Sequence, residues 1–129
     1  MIDHFGIQVD DLAAARAFYD AVLEPLGYQV LMDVGPALGY GPPGGHPAFW
    51  IGTATDHIPN RQSHFAFVAP SRDAVTAFYQ RALADGAESL HEPKVWPEYH
   101  PGYFGAFVRD PDGNNVEAVH HTFPAGDPG

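Results

Sequence analysis

Residues 4–23, "HFGIQVDDLAAARAFYDAVL", laid over residues 64–83, "HFAFVAPSRDAVTAFYQRAL", match at an offset of 60 without a gap. His4 falls on His64, Phe5 on Phe65, Ala14 on Ala74, Ala17 on Ala77, Phe18 on Phe78, Tyr19 on Tyr79 and Leu23 on Leu83. A short chain that repeats itself in this way is built from two copies of one supersecondary unit. Each copy opens with alternating large residues, Phe5, Ile7 and Val9 in the first and Phe65 and Phe67 in the second, as a half-buried strand requires. Asp10 or Asp11, and Ser71 in the second copy, can cap helices near 11–24 and 71–85. One stripe of the first helix carries Leu12, Ala15, Phe18, Tyr19 and Val22, and Val75, Phe78, Tyr79 and Leu83 do likewise in the second. Gly27 and Gly86 stand where the helices stop.

Outward from the helices the pattern returns to short strands. They are expected around 28–33, 37–41 and 47–53 in the first copy, and around 88–90, 103–109 and 114–120 in the second, so each copy reads βαβββ. The stretch 35–47, "GPALGYGPPGGHP", is rich in Gly and Pro and makes the middle strand of the first copy its weakest. In "RDPDGNN", Pro111 and Gly113 form a turn between two strands. The expected architecture is α+β, two βαβββ modules in tandem forming a curved mixed sheet around a cleft. Residues 1–129 make a single domain, with module one at about 1–56, module two at about 61–121, and a frayed tail at 122–129.

Composition narrows the function. Six Lys and Arg against 16 Asp and Glu give a formal net charge of -10, which repels nucleic-acid backbones and anionic membranes. There is no cysteine, hence no disulfide and no thiolate ligand or nucleophile, and any bound metal has to use His, Asp, Glu or water. The opening "MIDHFGIQVDDL" has no basic region followed by an apolar run, so a soluble, cytoplasmic protein is expected.

Strand parity places Phe5, Ile7, Phe65 and Phe67 toward the helices and leaves His4 and His64 on the opposite face, beside the small residues Gly6 and Ala66. In "NNVEAVH", Glu117 stands between Val116 and Ala118, where a charge needs compensation. One reading makes His4, His64 and Glu117 a two-His, one-carboxylate metal set with open positions. The other makes the histidines hydrogen-bonded core residues and pairs Glu117 with Arg109 or Arg61. Aligning "PAFWIGTA" with "NNVEAVHH" puts Trp50 opposite Glu117, so the first copy supplies no carboxylate; Trp50 is a wall of the cleft or a core residue. Tyr99, His100 and Tyr103 in "WPEYHPGYFG" are candidates for a segment over the site that binds substrate. His46, His57 and His91 fall in expected loops and read as solvated. His121 shares parity with Glu117 but ends a strand expected to fray.

The two βαβββ units, the openings "HFGIQV" and "HFAFVA", and "FVRDPDGNNVEAV" together resemble the vicinal oxygen chelate superfamily over residues 2–121. That group includes glyoxalase I, extradiol dioxygenases, methylmalonyl-CoA epimerase, fosfomycin-inactivating transferases and metal-free bleomycin-binding proteins. The resemblance implies that the module-opening histidines are His4 and His64 and that the last-strand glutamate is Glu117. It implies a divalent ion, Fe, Mn, Ni or Zn, and catalysis on a small molecule with vicinal oxygens, in which Glu117 acts as ligand or base. The remaining family position, a Glu or Gln in glyoxalase I and the epimerase, is Trp50, a departure that leaves three protein ligands. The scarcity of Lys and Arg disfavours phosphonate or glutathione substrates. The resemblance favours a homodimer. The alternative from another class is a metal-free drug-binding protein of the bleomycin-resistance type, and a third reading is a scaffold that has lost activity.

Overall fold

The alternating and helical patterns of the two copies become the same succession of elements twice in a computed structural model, which describes residues 2–54 and 63–122. Module one runs β1 (Phe5–Val9), α1 (Leu12–Leu23), a single 3-10 turn (Glu24–Leu26), β2 (Gln29–Asp33), β3 (Ala37–Gly41) and β4 (Phe49–Thr53). Module two runs β5 (His64–Val68), α2 (Arg72–Ala84), β6 (Ser89–Val95), β7 (Tyr103–Arg109) and β8 (Asn115–His121). Asp11 and Ser71 are the helix caps, their side chains accepting from the backbone N–H of Ala14 and Ala74. Gly27 takes the left-handed conformation that ends the first helical segment, at φ 91°.

Each module forms its own four-stranded sheet, in the order β1-β4-β3-β2 and β5-β8-β7-β6. The first strand of each lies parallel to the last of its module, with Phe5 opposite Phe49 and Phe65 opposite Val116, and the other pairings are antiparallel. The expected α+β architecture of two tandem βαβββ modules is present, with the mixed sheet in two four-stranded halves: β1 and β5 are both edge strands and do not pair within the chain. The modules instead meet through α1 against α2 and through aromatic contacts of Phe5 and Phe49 with Phe65.

The core follows the two helix stripes. Ala15, Phe18, Tyr19, Val22 and Leu23 of α1 and Ala74, Val75, Phe78 and Ala82 of α2 are buried against Ile7, Leu38, Tyr40 and Ile51 on one sheet and Val108, Val116 and Ala118 on the other. A fully buried side chain of this size contributes about 1.5–3 kcal/mol. Leu83, assigned above to the buried stripe, is 40% exposed, because Ala82 takes the inward position one residue earlier. Phe5 is 41% exposed for a related reason: it sits on an edge strand, with its ring against Phe49 and Phe65 on the helix side and its far side uncovered.

A buried polar clasp joins the modules at the turn between β7 and β8. The Asp110 carboxylate, 5% exposed, accepts from the Tyr19 hydroxyl of α1 at 2.8 Å, from Asn114 Nδ2 at 2.9 Å, and from the backbone N–H of Asp112 and Asn114 at 3.0 and 2.8 Å. Asn114 Oδ1 in turn accepts from the backbone N–H of Ser63, just ahead of β5. Four donors on two oxygens satisfy the charge without a cation. The "DPDG" turn, with Gly113 at φ 87°, thus does more than reverse the chain: it ties α1 to the start of β8.

Other expectations changed in detail. The strand expected at 88–90 extends to 95, its ladder with β7 interrupted by irregularities between Ser89 and His91 and between His91 and Lys94. His91 therefore belongs to a strand and not to a loop; it is exposed, as expected, with one side of its ring packed on Trp96 and Phe107. His121 does not fray, since it pairs with Tyr103 across β7. Arg109 reaches Glu88 at 3.1 Å and the Gly113 carbonyl, which removes it as a partner for Glu117. His57 and Arg61, and all of the tail beyond Thr122, lie outside the described residues. No helix among the described residues is long and apolar enough to cross a membrane.

Candidate functional site

Parity along β7 and β8 builds one face of module two, because Phe107 opposes Glu117 and Tyr103 opposes His121 across the antiparallel ladder, while Ala66 of β5 opposes Glu117 on the other side. Ala66 and Gly105 leave open space beside Glu117. A Cβ at Gly105 would lie 3.0 Å from Glu117 Oε2 and 3.2 Å from the Tyr103 ring. Into that space Glu117 extends, 2% exposed, with each oxygen engaged: Oε1 lies 3.2 Å from His64 Nε2, and Oε2 accepts a hydrogen bond from the Tyr103 hydroxyl. Burial pushes the Glu117 carboxyl up from its ordinary value, with Tyr103 and His64 pulling it back. Burial and the neighbouring Glu117 charge push the Tyr103 hydroxyl well up, so it stays a donor.

The His64 ring is oriented by its other nitrogen. Nδ1 lies 3.1 Å from the backbone carbonyl of Asn115, and a carbonyl oxygen can only accept, so Nδ1 carries the proton. In the neutral ring Nε2 is then a bare lone pair that faces a carboxylate oxygen. Two acceptors cannot rest 3.2 Å apart without a proton or a cation to share. The spacing suits one ion: at bond lengths of about 2.1 Å, two ligand atoms are about 3.0 Å apart at a right angle and about 3.4 Å at the tetrahedral angle. The donor set of imidazole and carboxylate therefore fits a divalent transition ion.

His4 occupies the equivalent place in module one, immediately ahead of β1, but in different company. Its Nδ1 is 2.8 Å from Asp3 Oδ1, and it borders a hollow shared with Met32, His46, Pro47 and Trp50. His46, expected to be solvated, reaches the same Asp3 oxygen through Nε2 at 3.2 Å, and the two imidazoles hold the Asp3 carboxyl below its usual range. Trp50 is half-buried, its indole N–H donating to the Pro47 carbonyl and its ring lying where a Cβ at Gly39 would come within 2.9 Å. Glycine at 39 leaves room for the indole over β3, and Trp50 lines the hollow beside His4.

Among the described residues no group of three or more His, Cys, Asp or Glu side chains is arranged to hold a metal ion within one chain. The chain brings His64 and Glu117 together and leaves His4 with Asp3, His46 and Trp50.

The remaining substrate candidates line the module-two face. Tyr103 is the first residue of β7 and touches Glu117 directly. Tyr99, 60% exposed, stacks on Trp96 and leans on Tyr103. His100 hydrogen-bonds His121 at 2.9 Å, and both rings pack on Tyr103. Burial and the neighbouring His100 and His120 push His121 below its ordinary value. Sequence reasoning missed Phe107, stacked on His64, and Trp96, whose indole donates to the Gly105 carbonyl. The parity of β7 would have found Phe107. Trp96 stands just outside a strand and gives no such signal.

Comparison with known proteins agrees with this duplicated architecture. The chain matches the Glyoxalase/Bleomycin resistance protein/Dioxygenase superfamily model over residues 1–118. Among solved structures it is similar to a glyoxalase/bleomycin resistance protein from Albidiferax ferrireducens T118, with 30% identity, 92% of this chain and 98% of that chain covered, and a TM-score of 0.80. It is similar to the lactoylglutathione lyase from Agrobacterium tumefaciens at 26% identity, covering 93% and 92% of the two chains, with a TM-score of 0.66. A glyoxalase/bleomycin resistance protein/dioxygenase family enzyme from Burkholderia phytofirmans PsJN shares the fold at 18% identity, with 94% and 98% covered and a TM-score of 0.71. No curated protein matches. The repeated βαβββ modules, the family match across nearly the whole chain and the relative at 30% identity lead to one conclusion: the chain belongs to the glyoxalase/bleomycin resistance protein/dioxygenase superfamily.

Proposed function

We propose that this protein is a metal-dependent enzyme of the glyoxalase and dioxygenase-like class, acting on a small molecule with vicinal oxygens. The observation that carries the reading is the His64 and Glu117 pair: an imidazole oriented by a backbone carbonyl, with its Nε2 at 3.2 Å from a buried carboxylate oxygen. His64 Nε2 and Glu117 Oε1 would hold a divalent ion, Fe, Mn, Ni or Zn, with His4 as the third protein ligand. When bound, such an ion supplies Lewis acidity to two adjacent substrate oxygens. Tyr103, remaining protonated, donates its one hydroxyl proton to the second oxygen of Glu117 and so holds the carboxylate at the reacting face. Tyr99, His100, Tyr103 and Trp50 form the walls that orient the substrate and exclude water.

His4 completes the set from a second copy. In this reading β1 of one protomer pairs with β5 of its partner, two edge strands that otherwise end in solvent, and a two-fold arrangement satisfies both edges at once. Exposed Ile2, Phe5 and Val68 beside these edges, and an apolar hollow of about 700 Å³ that Phe5, Phe49, Phe65 and Phe67 line, support such a homodimer.

The test is metal content and uptake of protein purified without a polyhistidine tag, beside His4→Ala, His64→Ala and Glu117→Ala. The parent is expected to hold one equivalent per chain and each variant to lose it. Mixing His4→Ala with Glu117→Ala should restore binding at one of the two sites of a mixed dimer. A parent that takes up no divalent ion sinks the enzyme reading and transfers the aromatic-walled face to metal-free binding of a small drug-like molecule.

A further inference from the structure

We infer that Asp3 is a positioning residue: its carboxylate fixes the His4 imidazole with Nδ1 protonated and Nε2 bare, and His46 holds Asp3 in place for that task. The inference deepens the proposed function and rests on reading His4 as an ion ligand. It begins from the comparison of the two modules. His64 has its Nδ1 proton on the Asn115 carbonyl, so its tautomer is set by the backbone of β8 and Nε2 faces the site. His4, its counterpart at the mouth of β1, has Nδ1 at 2.8 Å from Asp3 Oδ1. A carboxylate oxygen accepts as a carbonyl does, so the two modules reach the same tautomer by different means. The position equivalent to Asp3 is Ser63, whose backbone serves the Asn114 clasp instead, so the carboxylate is particular to module one.

A carboxylate behind a ligating imidazole does more than orient it, because it also raises the electron density on the outward nitrogen and so the affinity for a cation. Asp3 is 76% exposed along its side chain, so by itself it would spread over several rotamers. His46 restricts it. The loop from 42 to 48 folds back on Gly41, where a Cβ would lie 2.3 Å from the His46 carbonyl oxygen, and Gly45 N–H closes on the Pro42 carbonyl at 2.9 Å. That turn delivers His46 Nε2 to the oxygen that His4 uses, at 3.2 Å. The Gly and Pro run that weakens β3 as a strand thus has a use: it carries a second histidine to the back of the first.

The decisive experiment reads the His4 tautomer by long-range ¹H–¹⁵N NMR in metal-free protein, with His64 as internal control, and Zn²⁺ and Mn²⁺ affinity by calorimetry. The parent should show His4 protonated on Nδ1. Asp3→Ala should lose that preference and bind either ion about 10–100-fold more weakly, while His64 keeps its tautomer. Asp3→Asn, whose amide oxygen still accepts, should recover most of the tautomer but not all of the affinity. His46→Ala should fall between parent and Asp3→Ala. A His4 protonated on Nε2 in the parent, or an Asp3→Ala variant with unchanged tautomer and affinity, overturns the assignment. A parent that binds neither ion refutes the proposed function instead, and the metal-free tautomer of His4 in Asp3→Ala still decides what Asp3 does.

Discussion

Tyr19→Phe removes one oxygen atom from the middle of the molecule and keeps the ring that packs against Phe18, Tyr40 and Phe49. No cavity larger than a hydroxyl is left, so the cost is the hydrogen bond to Asp110 at 2.8 Å. That bond is buried and has an ionised acceptor, the class for which removal of one partner costs about 1.5–3 kcal/mol. Asp110 keeps three donors, from Asn114 Nδ2 and the backbone of Asp112 and Asn114, which holds the loss to that range instead of the larger cost of a stranded charge. For 129 residues the unfolding entropy near the melting temperature is roughly 270 cal/mol/K, so the loss corresponds to a fall of about 5–11 °C. Differential scanning calorimetry of parent and variant measures it. Tyr28→Phe is the control: its hydroxyl reaches the Val68 carbonyl at 3.1 Å from a more open position, and its loss should cost less than half as much. Because Tyr19 and Asp110 belong to different modules, amide exchange in the 110–114 turn should also accelerate. A Tyr19→Phe protein that melts within about 2 °C of the parent, with the turn equally protected, would refute the claim that this clasp joins the modules.

Asp112 lies in the same turn, and burial, with the nearby charges of Asp110, Asp10 and Asp11, raises its carboxyl above the ordinary value. A raised folded-state value means stability present at low pH is lost as pH rises through it, so Asp112→Asn should melt higher than the parent at neutral pH and equally near pH 3; a variant less stable at neutral pH would reverse the sign. Gly39→Ala should drive the Trp50 indole off β3, since the new methyl would sit within 2.9 Å of three ring atoms; in a Trp96→Phe background the emission should shift to the red, and an unshifted spectrum would show the ring has room. Tyr103→Phe should bind a divalent ion about 10-fold more weakly by calorimetry with little change in fold, because it frees one Glu117 oxygen; unchanged affinity would remove Tyr103 from the site.

The duplication was legible because His4, Phe5 and the helix residues recur at one offset, and the caps at Asp11 and Ser71 follow from local hydrogen bonding that any strand-to-helix junction needs. The pairing of His64 with Glu117 was legible through strand parity. What parity cannot supply is the arrangement of one sheet against the other. β1 and β5 read as the opening strands of their modules, but parity does not say whether they pair; within the chain they do not, and His4 stands beside Asp3 and His46. Loops were harder still: His46 owes its position to a turn with a close approach at Gly41, and Trp96, just outside a strand, to an indole hydrogen bond with the Gly105 carbonyl.

The turn at 110–114 also sets a frame. Asn114 is fixed on both sides, by Asp110 and by Ser63, only three residues ahead of Glu117. Side chains alternate faces along β8, so one residue more or fewer after the clasp would send Glu117 in among the neighbours of Val116 and Ala118, beneath α2, and bring an aliphatic side chain to face His64. A chain could keep every residue of the turn and of the strand and still lose its acid by a single insertion between them. The length of this short run is as much a part of the site as the glutamate itself.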